Sequence, residues 1–319
     1  MTGETLPLFD EPPEYERTPL GRKLDALASQ GIFIGTSSWK YPGWIGQIYT
    51  ERNYFVRGKF SEKRFQAECL GEYAATFPIV CGDFSFYQFP SEQYWRRLFH
   101  SAPAALKYAF KIPEEITVKM FPTHPRYGTR AGEPNPSFLD AVLLRNVFLD
   151  LLEPYRVQIA VLIFEFGTFN KQTYGDVRDF IAQLDPFLAT LPATFRYAVE
   201  TRNQEFLTRE YFECLRSRGV AHVFNAWTRM PEIGEQMRMP EIYTADFTVA
   251  RALLRRGRPY EAAVEKFSPY QQILEPNPEV RRSLKNLISR ARERQEPSYI
   301  FVNNRLEGNA PQTIQALVD

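Results

Sequence analysis

The feature that most constrains this chain is a rhythm. From Ile32 to the C-terminus, short apolar runs alternate with stretches of helical periodicity, and each apolar run breaks abruptly into polar, aromatic or glycine residues. The first run, Ile32-Phe33-Ile34, gives way to Gly35-Thr36-Ser37-Ser38-Trp39-Lys40-Tyr41-Pro42-Gly43-Trp44. The last, Tyr299-Ile300-Phe301-Val302, gives way to Asn303-Asn304-Arg305-Leu306-Glu307-Gly308-Asn309-Ala310. Alternating strand and helix units build parallel sheets covered by helices. In a closed barrel of such units, the break after each strand marks the C-terminal rim, where side chains stop packing and begin to face a ligand. Rim-like breaks at both ends of the chain predict a barrel that closes first strand on last.

Eight strands are expected: from Ile32, then Ile79 to Tyr87, Lys107 to Ile112, Gln158 to Phe166, Phe195 to Glu200, Val220 to Asn225, Ile242 to Val249 and Ser298 to Asn303. Between them lie helical faces: Phe65, Cys69 and Tyr73; Trp95 and Leu98 behind a Ser91 cap; Phe138, Val142, Leu143 and Phe148; a helix capped by Thr208; and Leu284, Leu287, Ile288 and Ala291 after Pro278. The fold class is therefore α/β, a single TIM-like barrel. Its rival, a doubly wound sheet, usually carries a glycine-rich phosphate turn after its first strand, and Gly35-Thr36-Ser37-Ser38-Trp39 is not one. The barrel domain is expected over residues 31–319. Residues 1–30 form a flexible, acidic, proline-bearing tail and a short helix with Leu20, Leu24 and Leu27 in one stripe. The long polar stretch from Pro113 to Pro136 is expected to act as a lid over the mouth, bringing Lys119, Arg126 and Arg130 with it.

Composition excludes several classes. Lysine and arginine nearly balance aspartate and glutamate, for a formal charge of +1, so no global field draws the chain to nucleic acid or an anionic membrane. No apolar stretch approaches the roughly 20 residues that span a bilayer, and the N-terminus does not read as a secretory signal. The three cysteines, Cys69, Cys81 and Cys214, are scattered, which argues against a disulfide scaffold and for the reducing cytoplasm. With only His100, His124 and His222 and no ligand-like spacing, neither a metal nor another cofactor is expected.

Several segments resemble the YecE-like family, the domain of unknown function numbered seventy-two. They are Gly35-Thr36-Ser37-Ser38-Trp39, Tyr41-Pro42-Gly43-Trp44, Phe86-Tyr87 with Pro90, Ala198-Val199-Glu200 with Arg202, and Asn303-Asn304 followed by Gly308 and Ala310. They occur in the family's order and cover roughly Ile32 to the C-terminus. The resemblance implies a TIM-barrel-like fold and no established reaction. The chain departs from the family's pattern in two places. Cys81, Gly82 and Asp83 stand where a glutamate commonly precedes the segment matching Phe84-Ser85-Phe86-Tyr87, and Glu165 stands where a glutamine is usual.

The candidate site is a rim constellation. Glu165 and Glu200 each close an apolar strand, and paired rim carboxylates suit general acid–base work if their surroundings hold one protonated and the other ionised. The plainer alternative is that each pairs with Arg202, Lys111 or Arg251. Lys111 ends the third strand on the face of Lys107 and Ala109, where it could bind an anion or form a Schiff base. Arg202, Arg251 and Arg305 each follow a strand and together suit a carboxylate or phosphate. Asp83, Asn225 and Asn303 offer polar partners for a ligand, while Asn304 should face the helix layer. Trp39, Tyr41, Trp44, Phe86 and Tyr87 supply rings that could stack on a sugar or base, or simply cap the core. Cys81 is read as a small core thiol rather than a nucleophile.

The leading expectation is a metal-independent hydrolase or lyase acting on a polar, anionic small molecule or sugar, with Glu200 as base or nucleophile and Glu165 as acid. The alternatives are a DNA-associated protein and a non-catalytic ligand-binding barrel. For the former, Thr5-Leu6-Pro7-Leu8-Phe9 resembles short peptides that bind bacterial sliding clamps, and the basic loop would contact DNA. No membrane association is expected.

Overall fold

A computed structural model of the chain describes residues 15–319, so the Thr5–Phe9 segment lies outside the described residues. Eight parallel strands close into a barrel: β1 (Ile32–Thr36), β2 (Ile79–Gly82), β3 (Lys107–Lys111), β4 (Ile159–Glu165), β5 (Tyr197–Glu200), β6 (Ala221–Ala226), β7 (Thr248–Ala252) and β8 (Ser298–Val302). First and last strands pair along their whole length, from Ile32 opposite Ser298 to Thr36 opposite Val302. On its other side β1 meets β2 at Thr36 and Val80. This closure excludes the doubly wound alternative and leaves no barrel strand with an unpaired edge.

Period-two alternation sorts the strand residues into two cores. Cys81, Ala109, Val161, Ile163, Ala198, Val223, Val249 and Phe301 fill the barrel interior, while Ile34, Val80, Phe110, Leu162, Phe164, Val199 and Ile300 pack outward under the helices. One further inward step along each strand gives Asp83, Lys111, Glu165, Glu200, Asn225, Arg251 and Asn303. The polar layer at the rim is thus a direct product of strand period.

The helix starts read from sequence at Ser91, Thr208 and Pro278 are present, and Thr18 adds a cap that was not anticipated. Thr18, Ser91 and Thr208 accept from the backbone N–H groups of Gly21, Tyr94 and Tyr211, and Pro278 opens the helix Pro278–Arg294. Three expectations change. The second strand stops at Gly82, and Phe84–Tyr87 forms a short helix, which leaves Asp83 at the turn. The seventh strand runs Thr248–Ala252, later than the expected Ile242 to Val249. The apolar residues before it have other work: Ile242 is buried, Phe247 plugs the barrel, and Thr244 accepts from His222 N and donates to Val220 O. Arg251 therefore lies inside a strand rather than after one. Finally, the helix expected around Phe138 to Phe148 begins at Ala141 and winds into a π-helical turn at Arg145–Leu149.

The connection after β3 is built rather than structureless. It holds the helix Glu114–Thr117, the turn Pro125–Arg130 and a bridge between Met120 and Pro134. Its cations are engaged separately: Lys119 lies 3.6 Å over the Tyr174 ring, Arg130 pairs with Glu115 at 2.9 Å, and Arg126 pairs with Glu114 at 2.6 Å. Among the described residues no helix is long and apolar enough to cross a membrane.

Candidate functional site

Glu165 and Glu200 stand opposite one another in the register of β4 and β5. Two neighbouring carboxylates below the rim would repel strongly in so dry a place. Arg251 resolves this from β7. Its Nη1 donates to Glu165 Oε2 at 2.6 Å and also to Glu200, and its Nη2 reaches Asp83 Oδ1 at 3.3 Å. Two more cations complete the cluster. Lys111 Nζ lies 3.1 Å from Glu165 and 3.8 Å from Asp83, while Arg202 lies 2.9 Å from Glu165 and 3.4 Å from Glu200. Three positive and three negative side chains thus neutralise one another.

The electrostatic consequence is asymmetric. Burial alone would raise the Glu165 carboxyl, but Arg202, Lys111 and Arg251 outweigh it and hold the group well below the usual carboxylate range. Burial pulls the Arg251 guanidinium down, yet Glu200 and Glu165 leave it well above its ordinary value. Beneath them the Cys81 thiol is pushed up to about 12, chiefly by burial, so it stays a thiol.

Above the cluster opens a cavity of about 310 Å³. Asp83, Lys111, Glu165 and Arg251 form its floor. Its walls come from successive rim connections: Phe86 and Tyr87 after β2, Arg126 after β3, Arg202 after β5, Trp227 after β6, Leu253 and Tyr260 after β7, Asn303 and Arg305 after β8. Lys111 Nζ sits 3.9 Å from the Phe86 ring, and the Arg202 guanidinium stacks 3.6 Å from Trp227. The arrangement can bind a polar molecule against cations and rings and can exchange protons with it through Asp83.

Residues 33–319 match the family described as "Protein of unknown function DUF72". The chain belongs to the DUF72 family. Among solved structures, a DUF72 family protein from Enterococcus faecalis V583 superposes with a TM-score of 0.58 at 13% identity, covering 90% of this chain and 95% of that one. A DUF72 family protein from Thermotoga maritima MSB8 gives 0.56 at 19% identity, covering 90% and 99%. At these identities the likeness is one of fold. No curated protein matches the chain.

In this DUF72 barrel the residues anticipated for the site divide into two groups. Asp83, Tyr87, Lys111, Glu165, Arg202, Arg251, Asn303 and Arg305 meet at the cavity. Glu200 does not: it is fully buried behind Arg251 and Arg202, away from the cavity wall. Asn225 is buried too, donating to Thr201 O at 3.0 Å. Trp39 and Trp44 are core residues; Trp39 meets the Phe84 ring edge-on, and Trp44 Nε1 donates to Asn304 Oδ1 at 3.2 Å. Tyr41 packs between Trp44 and Tyr270, with ring centroids 4.8 and 5.4 Å away, and burial pushes its hydroxyl up to about 12. These rings cap the core rather than face a ligand.

Three cavity residues, Trp227, Leu253 and Tyr260, escaped the sequence reading. Trp227 continues the inward alternation Val223, Asn225 beyond the end of β6, a signal that was legible. Tyr260 opens the helix Tyr260–Phe267 in a basic passage with no strand period, and nothing local announces it. Among the described residues no group of three or more His, Cys, Asp and Glu side chains is placed to hold a metal ion. The three carboxylates that might have done so, Asp83, Glu165 and Glu200, converge instead on the guanidinium of Arg251.

Proposed function

We propose that the cavity is the active site of a metal-independent hydrolase or lyase, and that Asp83 and Lys111 move protons on a small, polar, anionic substrate. The observation that carries this reading is the accessibility of Asp83. Its side chain keeps 28% exposure, against 7% for Glu165, and lies 3.8 Å from Lys111 Nζ on the cavity floor. Asp83 serves as the base, taking a proton from water or from the substrate. Lys111 stabilises negative charge as it develops and returns a proton to the departing oxygen. Glu165, held ionised by three cations, orients Lys111 and is unsuited to donate a proton. Glu200 anchors Arg251. The roles of base and acid thus pass from the buried Glu200 and the charge-held Glu165 to Asp83 and Lys111.

The test is turnover across a panel of anionic sugars and small hydroxy acids. Asp83→Asn should lower kcat by about 10²-fold or more with a smaller change in KM, and Lys111→Met should do likewise. Turnover that survives both substitutions would overturn the assignment. Saturable binding without turnover of any bound compound would reduce the cavity to a binding site.

A further inference from the structure

Arg305 is the cavity cation that the cluster leaves unneutralised. Lys111, Arg202 and Arg251 share Asp83, Glu165 and Glu200, and Arg126 is held by Glu114. Around Arg305 the described residues supply tyrosines and no paired carboxylate: the Tyr260 ring lies 4.5 Å from the guanidinium, and Tyr270 and Tyr41 stand alongside. A half-buried guanidinium with no internal counter-charge is costly unless something outside the chain supplies one.

The surrounding sequence is devoted to holding this arginine in place. Asn303 accepts from Arg305 N at 2.9 Å, and Asn304 accepts both Trp44 Nε1 at 3.2 Å and Ala310 N at 2.8 Å. Asn309 Nδ2 donates to Tyr270 O at 2.9 Å. Gly43 and Gly308 admit the turn that carries Tyr270. A Cβ on Gly43 would fall 2.0 Å from Pro269 O, and one on Gly308 would fall 2.6 Å from Gln272 O, with φ at +117° besides. The Tyr41-Pro42-Gly43-Trp44 and Asn303 to Ala310 segments therefore build a pedestal for a single cation rather than a set of ligand contacts.

We infer that Arg305, with Tyr260 beside it and Tyr270 supporting it, is the subsite for a phosphate group, and that the substrate is a phosphomonoester about the size of a monosaccharide. This rests on the cavity being the active site proposed above. The subsite lies between the connections that follow β7 and β8, where many (β/α)8 barrels bind phosphate. A guanidinium fork takes two oxygens of a carboxylate or of a phosphate, and a second polar residue from a separate segment, Tyr260, suits the further oxygen that only the phosphate carries. A cavity of about 310 Å³ leaves space beyond the phosphate for a small sugar or polyol. Trp227 lines that space with apolar surface, and Asp83, Glu165 and Asn303 offer its hydroxyls partners.

Calorimetric titration with inorganic phosphate, glucose 6-phosphate, glucose and acetate tests this. Glucose 6-phosphate should bind at least about tenfold more tightly than glucose, inorganic phosphate should compete with it, and Arg305→Met should remove that advantage. If Arg305→Met does not fold, Arg305→Lys carries the test: it keeps the charge, loses the fork, and should weaken glucose 6-phosphate while leaving glucose unchanged. Equal affinity for glucose and its phosphate, competition by acetate in preference to phosphate, or phosphate binding indifferent to Arg305 would each overturn the subsite. Loss of turnover in Asp83→Asn alongside such a result would leave the proton-transfer reading standing alone. Arg305-dependent phosphate binding without turnover would do the reverse.

Discussion

Arg251 is a charge made tolerable only by its company. It is almost fully buried, and so are the two glutamates it joins. A network like this strongly penalises removal of one member, by about 3–5 kcal/mol for a buried pair, because the survivors cannot be resolvated. Glu165 adds a pH signature. Its folded-state value is depressed, so it contributes stability that is fully present above the ordinary glutamate value of 4.5 and is lost as pH falls through the lower folded value. Glu165→Gln should therefore cost stability near pH 7, and the gap from wild type should narrow as pH falls below about 4.5. Urea unfolding at several pH values measures that gap; a gap constant down to pH 3 would show that Glu165 is not held by charge. Much of this was legible residue by residue. Lys111 and Glu165 follow from counting by twos along an apolar strand. The burial of Glu200 did not, because what covers it arrives from β7, far away in sequence. Arg251 itself was misplaced, since a charge inside an apolar run reads as the end of that run.

At the scale of elements, the sequence is most legible where strands are short and clean. β3, β4, β5, β6 and β8 fall within a residue or two of expectation, since each apolar run is bounded by turn residues. β7 was misjudged because the apolar residues preceding it are barrel plug and loop, which hydropathy cannot distinguish from strand. The aromatic segment after β1 was assigned to the mouth for a related reason: composition says aromatic, but only tertiary contact tells which side of a turn is wet. Its part in the pedestal has a measurable consequence. Gly43→Ala places a methyl group against Pro269 O and must displace the turn bearing Tyr270. It should destabilise the fold by about 1–3 kcal/mol and weaken glucose 6-phosphate binding although Gly43 touches no ligand. Full affinity in a destabilised Gly43→Ala protein would detach the turn from the site.

For the whole molecule, the closure of β1 on β8 was the earliest expectation, and it organises everything else. The two rims that meet there are the first and last of the chain, and between them they hold Arg305 over the cavity. A chain ending before Ser298 would expose the edges of both β1 and β7 and lose Asn303 and Arg305 together. Such a truncation should yield an aggregating or dye-binding species rather than a smaller folded unit, as light scattering would show. A folded, monomeric product would mean that the remaining strands can close without β8. The same geometry has a consequence in time. During synthesis the motif after β1 emerges first and must wait, unpartnered, for nearly the entire chain before Asn304 reaches Trp44. The cavity is incomplete until β8 and Arg305 have been made, so a molecule bound there would stabilise only chains synthesised past that point.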